Sequence, residues 1–127
     1  MKTGIALLFG IAVIAPRIAQ ADKTFIMGKG AAWNCAKDPV ISINHGAATY
    51  TFTGKCVTIN VSGGENKLTI ESVDTLNITG SKNTVTVGTV DAINVTGSNN
   101  KVTYKAAKSG NVTSHSSGNN NAIDQAK

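Results

Sequence analysis

The stretch "GSKNTVTVGTVDAINVTGSNNKVTY", residues 80–104, opens on Gly-Ser-Lys-Asn and returns to Gly-Ser-Asn-Asn 17 positions later, with Thr, Val and Asn in matching places between. In blocks of 17, the chain reads "GGENKLTIESVDTLNIT" (63–79), "GSKNTVTVGTVDAINVT" (80–96) and "GSNNKVTYKAAKSGNVT" (97–113). Gly63, Gly80 and Gly97 coincide, as do Asn66, Asn83 and Asn100, and Asn77, Asn94 and Asn111. A short fixed period of this kind marks a repeat architecture in which each unit is one supersecondary piece laid on its neighbour.

The alignment extends in both directions. One inserted residue near Thr53–Lys55 gives an 18-residue unit from His45 to Ser62, which places Tyr50 and Phe52 under Leu68 and Ile70, and "INVS" (59–62) under "LNIT" (76–79). "ISIN" (41–44) holds the same place one turn earlier, and "SGNNNAI" (117–123) starts a further copy about four residues late. Within a unit, Leu68, Ile70, Val73, Leu76 and Ile78 are apolar and alternate with Thr69, Glu71, Asp74 and Asn77. This is a period of two interrupted by turns, and it predicts two short strands, 67–70 and 75–79, with Val73 between them. Neither strand buries its apolar face alone, so the coils must stack, each strand hydrogen-bonding to the next coil. The expected fold is an all-β, single-domain β-solenoid of about five coils with a 17–18-residue period.

Each recurring residue then has a physical task. Gly63, Gly80 and Gly97 stand at a sharp corner where a Cβ is penalised. Asn66, Asn83 and Asn100 share the parity of the inward positions and form an internal ladder of amides. Thr51, Thr69, Thr86 and Thr103 form one outward column, and Asn60, Asn77, Asn94 and Asn111 another. In the last block "KAAKSG" (105–110) sets Ala107 and Gly110 in place of Val73 and Leu76, which predicts a thin C-terminal coil.

Residues 1–21, "MKTGIALLFGIAVIAPRIAQA", carry Lys2, an apolar run and Ala19-Gln20-Ala21 before Asp22, the pattern of a cleaved secretory signal. Its apolar run, Ile5–Ala15, is too short to span a bilayer. The organisation read from the chain is thus a signal (1–21) and one β-solenoid domain (22–127). That domain divides into an N-terminal cap and first coil (22–44), regular coils (45–113) and a C-terminal cap or tail (114–127). Removing the signal takes Lys2 and Arg17 but no acid, lowering the formal net charge from +5 to +3. The remaining lysines are scattered and have no interleaved aromatics, which argues against a nucleic-acid surface. In an oxidising compartment Cys35 and Cys56 are expected to form a disulfide. They lie in adjacent coils of one column, with Cys56 in the column of Val73 and Val90.

No constellation with catalytic spacing is found. His45 and His115 are far apart and no C-x-x-C occurs, so no metal site and no cofactor are expected. The Asn-x-Ser/Thr sequons at Asn60, Asn77, Asn94 and Asn111 are explained by the repeat and fall in expected strands. Asp74 and Asp91 stack one coil apart and are read as a solvated corner, with an acid pair as the functional alternative. Trp33 is read as a lid over the N-terminal end of the core.

The repeated "GSxNTVTV…V…INVTGSxNKVTY", with "WNC" at 33–35 and "GKC" at 54–56, resembles the bacterial domain of unknown function family 3060 over roughly residues 33–123. The resemblance implies an exported, envelope-associated β-solenoid module. It brings no activity and no catalytic residues. The function expected from the sequence is non-enzymatic, structural or binding, in the periplasm or outside the cell, with an envelope glycan or protein as partner. The competing reading is a small envelope enzyme acting on polysaccharide.

Overall fold

A computed structural model describes residues 23–25 and 31–126, so the expected signal at 1–21 lies outside the described residues. Nine strands run in order: β1 (Lys23–Phe25), β2 (Ala31–Asn34), β3 (Val40–Ile43), β4 (Thr49–Ser62), β5 (Lys67–Ser81), β6 (Thr84–Ser98), β7 (Lys101–Ala107), β8 (Thr113–Asn119) and β9 (Ala122–Gln125). No helix occurs among the described residues. Every pairing is parallel and joins one coil to the next, giving a β-solenoid of about six turns.

The register follows the repeat residue by residue. Tyr50, Leu68, Val85 and Val102 stand over one another, as do Trp33, Phe52, Ile70, Val87 and Tyr104. Cys56, Val73 and Val90 form a third inward column; Ile41, Ile59, Leu76 and Ile93 a fourth; Ile43, Val61, Ile78 and Val95 a fifth. From Ile41 to Val102 these side chains are no more than 2% exposed, and together they make one continuous axial core. β-branched and aromatic side chains suit such a pleated, half-buried surface, so propensity and burial point the same way.

The two strands expected per coil run together as one. β5 is continuous from Lys67 to Ser81. Inward residues are two apart within a wall (Leu68, Ile70) and three apart across a bend (Ile70, Val73, Leu76), and the pairing skips Glu71 and Asp74. The chain therefore bends without leaving the sheet, because two successive residues face solvent at each bend. The extra residue expected near Thr53–Lys55 is present: the β4–β5 register shifts between Phe52 and Lys55. Gly54 absorbs it with φ +80° and donates its N–H to Glu71 Oε1 at 2.8 Å.

The C-terminal coil departs from the 17-residue alignment. Gly118, 21 residues after Gly97, is the residue that pairs with it. β7 ends at Ala107, an excursion intervenes, and β8 resumes the stack at Thr113 over Ala92. Ala107 stands over Val90 as read from sequence, but Ser114, not Gly110, stands over Ile93. The 17-residue alignment breaks here because residues 108–112 form an excursion four residues longer than the single bend residue, Asp91, at the same place in the coil before.

At the sharp corner the coils come closest. Gly80 has φ +136°, and a Cβ there would lie 1.9 Å from the Gly63 carbonyl oxygen, a distance no rotamer relieves. The stack expects a sharp contrast between its two faces. Val90→Asp, which buries an unpaired charge, should unfold the domain, whereas Thr86→Ala should change stability by less than about 1 kcal/mol. Chemical denaturation followed by circular dichroism checks both, and equal tolerance would overturn the assignment of faces.

Candidate functional site

Behind the glycine corner lies a connected column of buried amides. Asn66, Asn83 and Asn100 are at most 1% exposed. Asn83 donates its backbone N–H and its side-chain Nδ2 to Asn100 Oδ1, each at 3.0 Å, and also donates Nδ2 to the Gly63 carbonyl at 3.0 Å. Asn66 N–H donates in turn to Asn83 Oδ1 at 3.0 Å. Asn100 repeats the pattern with Asn121 Oδ1 and the Gly80 carbonyl, each at 3.0 Å. A buried amide is costly unless its donors and acceptor are used, and here the neighbouring coil uses them. Asn121 extends the column, and Ala48 replaces it at the N-terminal end, where its N–H meets Asn66 Oδ1 at 3.3 Å. The late "GNNN" (118–121) was the signal for Asn121, hidden by the four-residue displacement.

The residue just before each ladder asparagine carries a demand that the repeat does not advertise. Glu65, Lys82, Asn99 and Asn120 have φ of 60°, 59°, 57° and 57°, in the left-handed region. Asn tolerates that conformation better than Lys or Glu does, because its short polar side chain can bond locally. This column borders a shallow corner groove of about 540 Å³ lined by His45, Glu65, Ser81 and Lys82.

Outside, Thr51, Thr69, Thr86 and Thr103 stack in register on one wall. Asn60, Asn77 and Asn94 stack on another, with Asn77 Nδ2 donating to Asn60 Oδ1 and Asn94 Nδ2 to Asn77 Oδ1, both at 2.8 Å. Asn111 does not join them. It lies in the excursion after β7, and His115 occupies the position over Asn94.

The acidic corner is already engaged. Lys108 makes an ion pair with Asp74 Oδ1, and Ser109 donates its N–H to Asp91 Oδ1 at 2.8 Å and its hydroxyl at 3.2 Å. The hydrogen bond to Asp74 holds the Lys108 ammonium above its ordinary value. The two aspartates thus tether the excursion. No group of three His, Cys, Asp or Glu residues able to hold a metal is found among the described residues.

At the opposite end, Cys35 and Cys56 form a disulfide with Cα atoms 5.0 Å apart across 21 residues. Trp33 is partly buried against the core and donates Nε1–H to the Asp38 carbonyl at 3.2 Å. Burial pushes the Tyr50 phenol above its ordinary value. No helix of the described residues is long and apolar enough to cross a membrane.

Two substitutions separate the two roles at this corner. Asn83→Ala takes the side-chain partner from Asn66 N–H and from the Gly63 carbonyl, leaves Asn100 Oδ1 with only the backbone N–H of residue 83, and should destabilise by roughly 3 kcal/mol. Lys82→Asn places a better-suited residue at the same left-handed φ and should stabilise by about 0.5–1 kcal/mol. Urea midpoints of the two variants against the parent chain check both signs.

No match to the chain was found among curated proteins or among solved structures. A family model does match, over residues 44–81 and again over 74–120, segments that cover the regular coils and the displaced C-terminal one. The chain belongs to the family described as "Protein of unknown function (DUF3060)".

Proposed function

We propose that the chain is an exported, non-enzymatic β-solenoid module of the bacterial envelope, which holds an extended glycan or protein partner on its outward walls. The observation that carries this reading is the register of the outward columns: Thr stands on Thr from Thr51 to Thr103, and Asn on Asn from Asn60 to Asn94. A row of identical hydrogen-bonding groups at a fixed rise suits a partner that also repeats, since weak contacts multiply along its length. The Cys35–Cys56 disulfide suits an oxidising compartment, as does the pattern of residues 1–21.

The enzymatic alternative rested on Asp74 and Asp91. An acid pair needs one carboxyl free to give a proton and the other free to accept or attack. Asp74 is paired with Lys108, and Asp91 accepts two hydrogen bonds from Ser109, which favours a tethering role.

The chain from Asp22 onward is expected to cosediment with isolated bacterial envelope material and to release no soluble sugar. The Asp74→Asn/Asp91→Asn double variant should behave as the parent does. Release of reducing sugar that disappears in the double variant would overturn the reading. In cells, N-terminal sequencing of the exported form should begin at Asp22.

A further inference from the structure

The four Asn-x-Ser/Thr sequons do not share one environment. Asn60, Asn77 and Asn94 stand inside β4, β5 and β6, and each is paired on both sides: Asn60 between Ser42 and Asn77, Asn77 between Asn60 and Asn94, and Asn94 between Asn77 and His115. The Nδ2 atoms of Asn77 and Asn94 also donate to the asparagine of the coil before. Stacking accounts for these three. It does not account for the fourth. The repeat predicts a strand at Asn111, but Asn111 lies between β7 and β8, outside the sheet, and the place over Asn94 belongs to His115. Asn111-Val112-Thr113 therefore has no explanation in the stack.

The surroundings of Asn111 are those of an accessible acceptor. It is exposed, and among the described residues nothing hydrogen-bonds to its side-chain amide. Gly110 before it has φ +74°, and apart from its chain neighbours no atom lies within 4 Å of where a Cβ would sit. The chain on either side is anchored: Lys108 and Ser109 are held by Asp74 and Asp91, and Val112 packs against the core. Gly110 and Asn111 thus form the crest of the excursion. Enzymes that modify a side chain on a folded protein take exposed segments outside regular structure, so the crest qualifies where a rung does not.

Beside the crest is a hollow of about 280 Å³, lined among others by Tyr104, Ala107, Val112 and Gln125. The incomplete last coil leaves it open: Ala107 stands over Val90 with a smaller side chain, and no described residue stands over Ala107. The Tyr104 ring and the Gln125 carboxamide suit a sugar, which has an apolar C–H face and a hydroxyl edge. A sugar joined to Asn111 has this hollow next to it.

We infer that Asn111 is a site of N-linked glycosylation, with the first sugar seated beside Tyr104; this rests on reading the chain as exported. The donor is a glycan carried on a lipid diphosphate, and the catalyst is a membrane transferase facing the same compartment. Asn111 Nδ2 bonds to the anomeric carbon, the bond from that carbon to the diphosphate oxygen breaks, the lipid diphosphate leaves, and the amide gives up one proton. No oxidant or reductant takes part. Thr113, exposed at the second position after Asn111, supplies the hydroxyl that the acceptor motif requires.

The test is mass spectrometry of the full chain recovered from the cells that naturally make it. Trypsin places each sequon on its own peptide, 56–67, 68–82, 83–101 and 109–127. Only 109–127 is expected to carry glycan, and amidase release should leave an aspartate at position 111. Asn111→Gln and Thr113→Ala should each abolish the adduct, and Thr113→Ser should retain it. Position 111 is exposed and outside the sheet, so the urea midpoint of unglycosylated Asn111→Gln should match that of the unglycosylated parent. The inference is overturned by an unmodified 109–127 peptide, by glycan on any of the other three peptides, or by an adduct that survives Thr113→Ala, which places it on a hydroxyl. N-terminal sequencing of the same sample separates the two readings. A chain that begins at Asp22 and bears no glycan removes the site alone, whereas one that retains residues 1–21 removes the export reading as well.

Discussion

The buried asparagine column is the constraint on which the coil depends. Aliphatic columns hold the walls together and resist a one-residue slip, which would set Leu68 over Thr86, but a two-residue slip still leaves Leu68 over Val87. Asn66, Asn83 and Asn100 remove that freedom. Each has its amide shared between the next coil's asparagine and the preceding corner's carbonyl, so slipping a coil by two residues would leave several buried polar groups unpaired at once. The glycine corner is the geometric counterpart. Gly80 passes so close to the Gly63 carbonyl that no side chain fits, and this closeness lets Asn83 Nδ2 reach the same carbonyl.

From this constraint follows a division of labour between positions. Residues inside the coil answer to the coils above and below, so they are repeated. Outward residues answer only to solvent and partners, so their repetition is informative where stacking does not explain it. Asn60, Asn77 and Asn94 bond one another and are partly accounted for in this way. The Thr and Ser positions beside them have no such ladder between coils.

Much of this was legible in the sequence, because a solenoid writes its register directly as a period. The inward columns, the inserted residue absorbed at Gly54, the stacking of Cys56 with Val73, and the glycine corner all follow from aligning 17-residue blocks. Asn111 did not follow. A block alignment assumes a constant coil length, and the excursion at 108–112, four residues longer than the bend it replaces, shifts the remainder, so His115 takes the place assigned to Asn111. The left-handed column at Glu65, Lys82, Asn99 and Asn120 was equally hidden, because its side chains vary while its backbone does not. Only the two asparagines hinted at it. The tether of Lys108 and Ser109 onto Asp74 and Asp91 depends on where the excursion folds back, which no periodicity encodes.

The disulfide joins β4 to the turn just after β2, near one end of the stack, while at the other end β8 lies fully exposed with serines where the interior would continue. The solenoid is therefore polarised along its axis. Thermal fraying has an easy entry at the last rungs and a locked one at the first, so loss of structure would travel as a front from the C-terminal end toward the cystine rather than break out everywhere together.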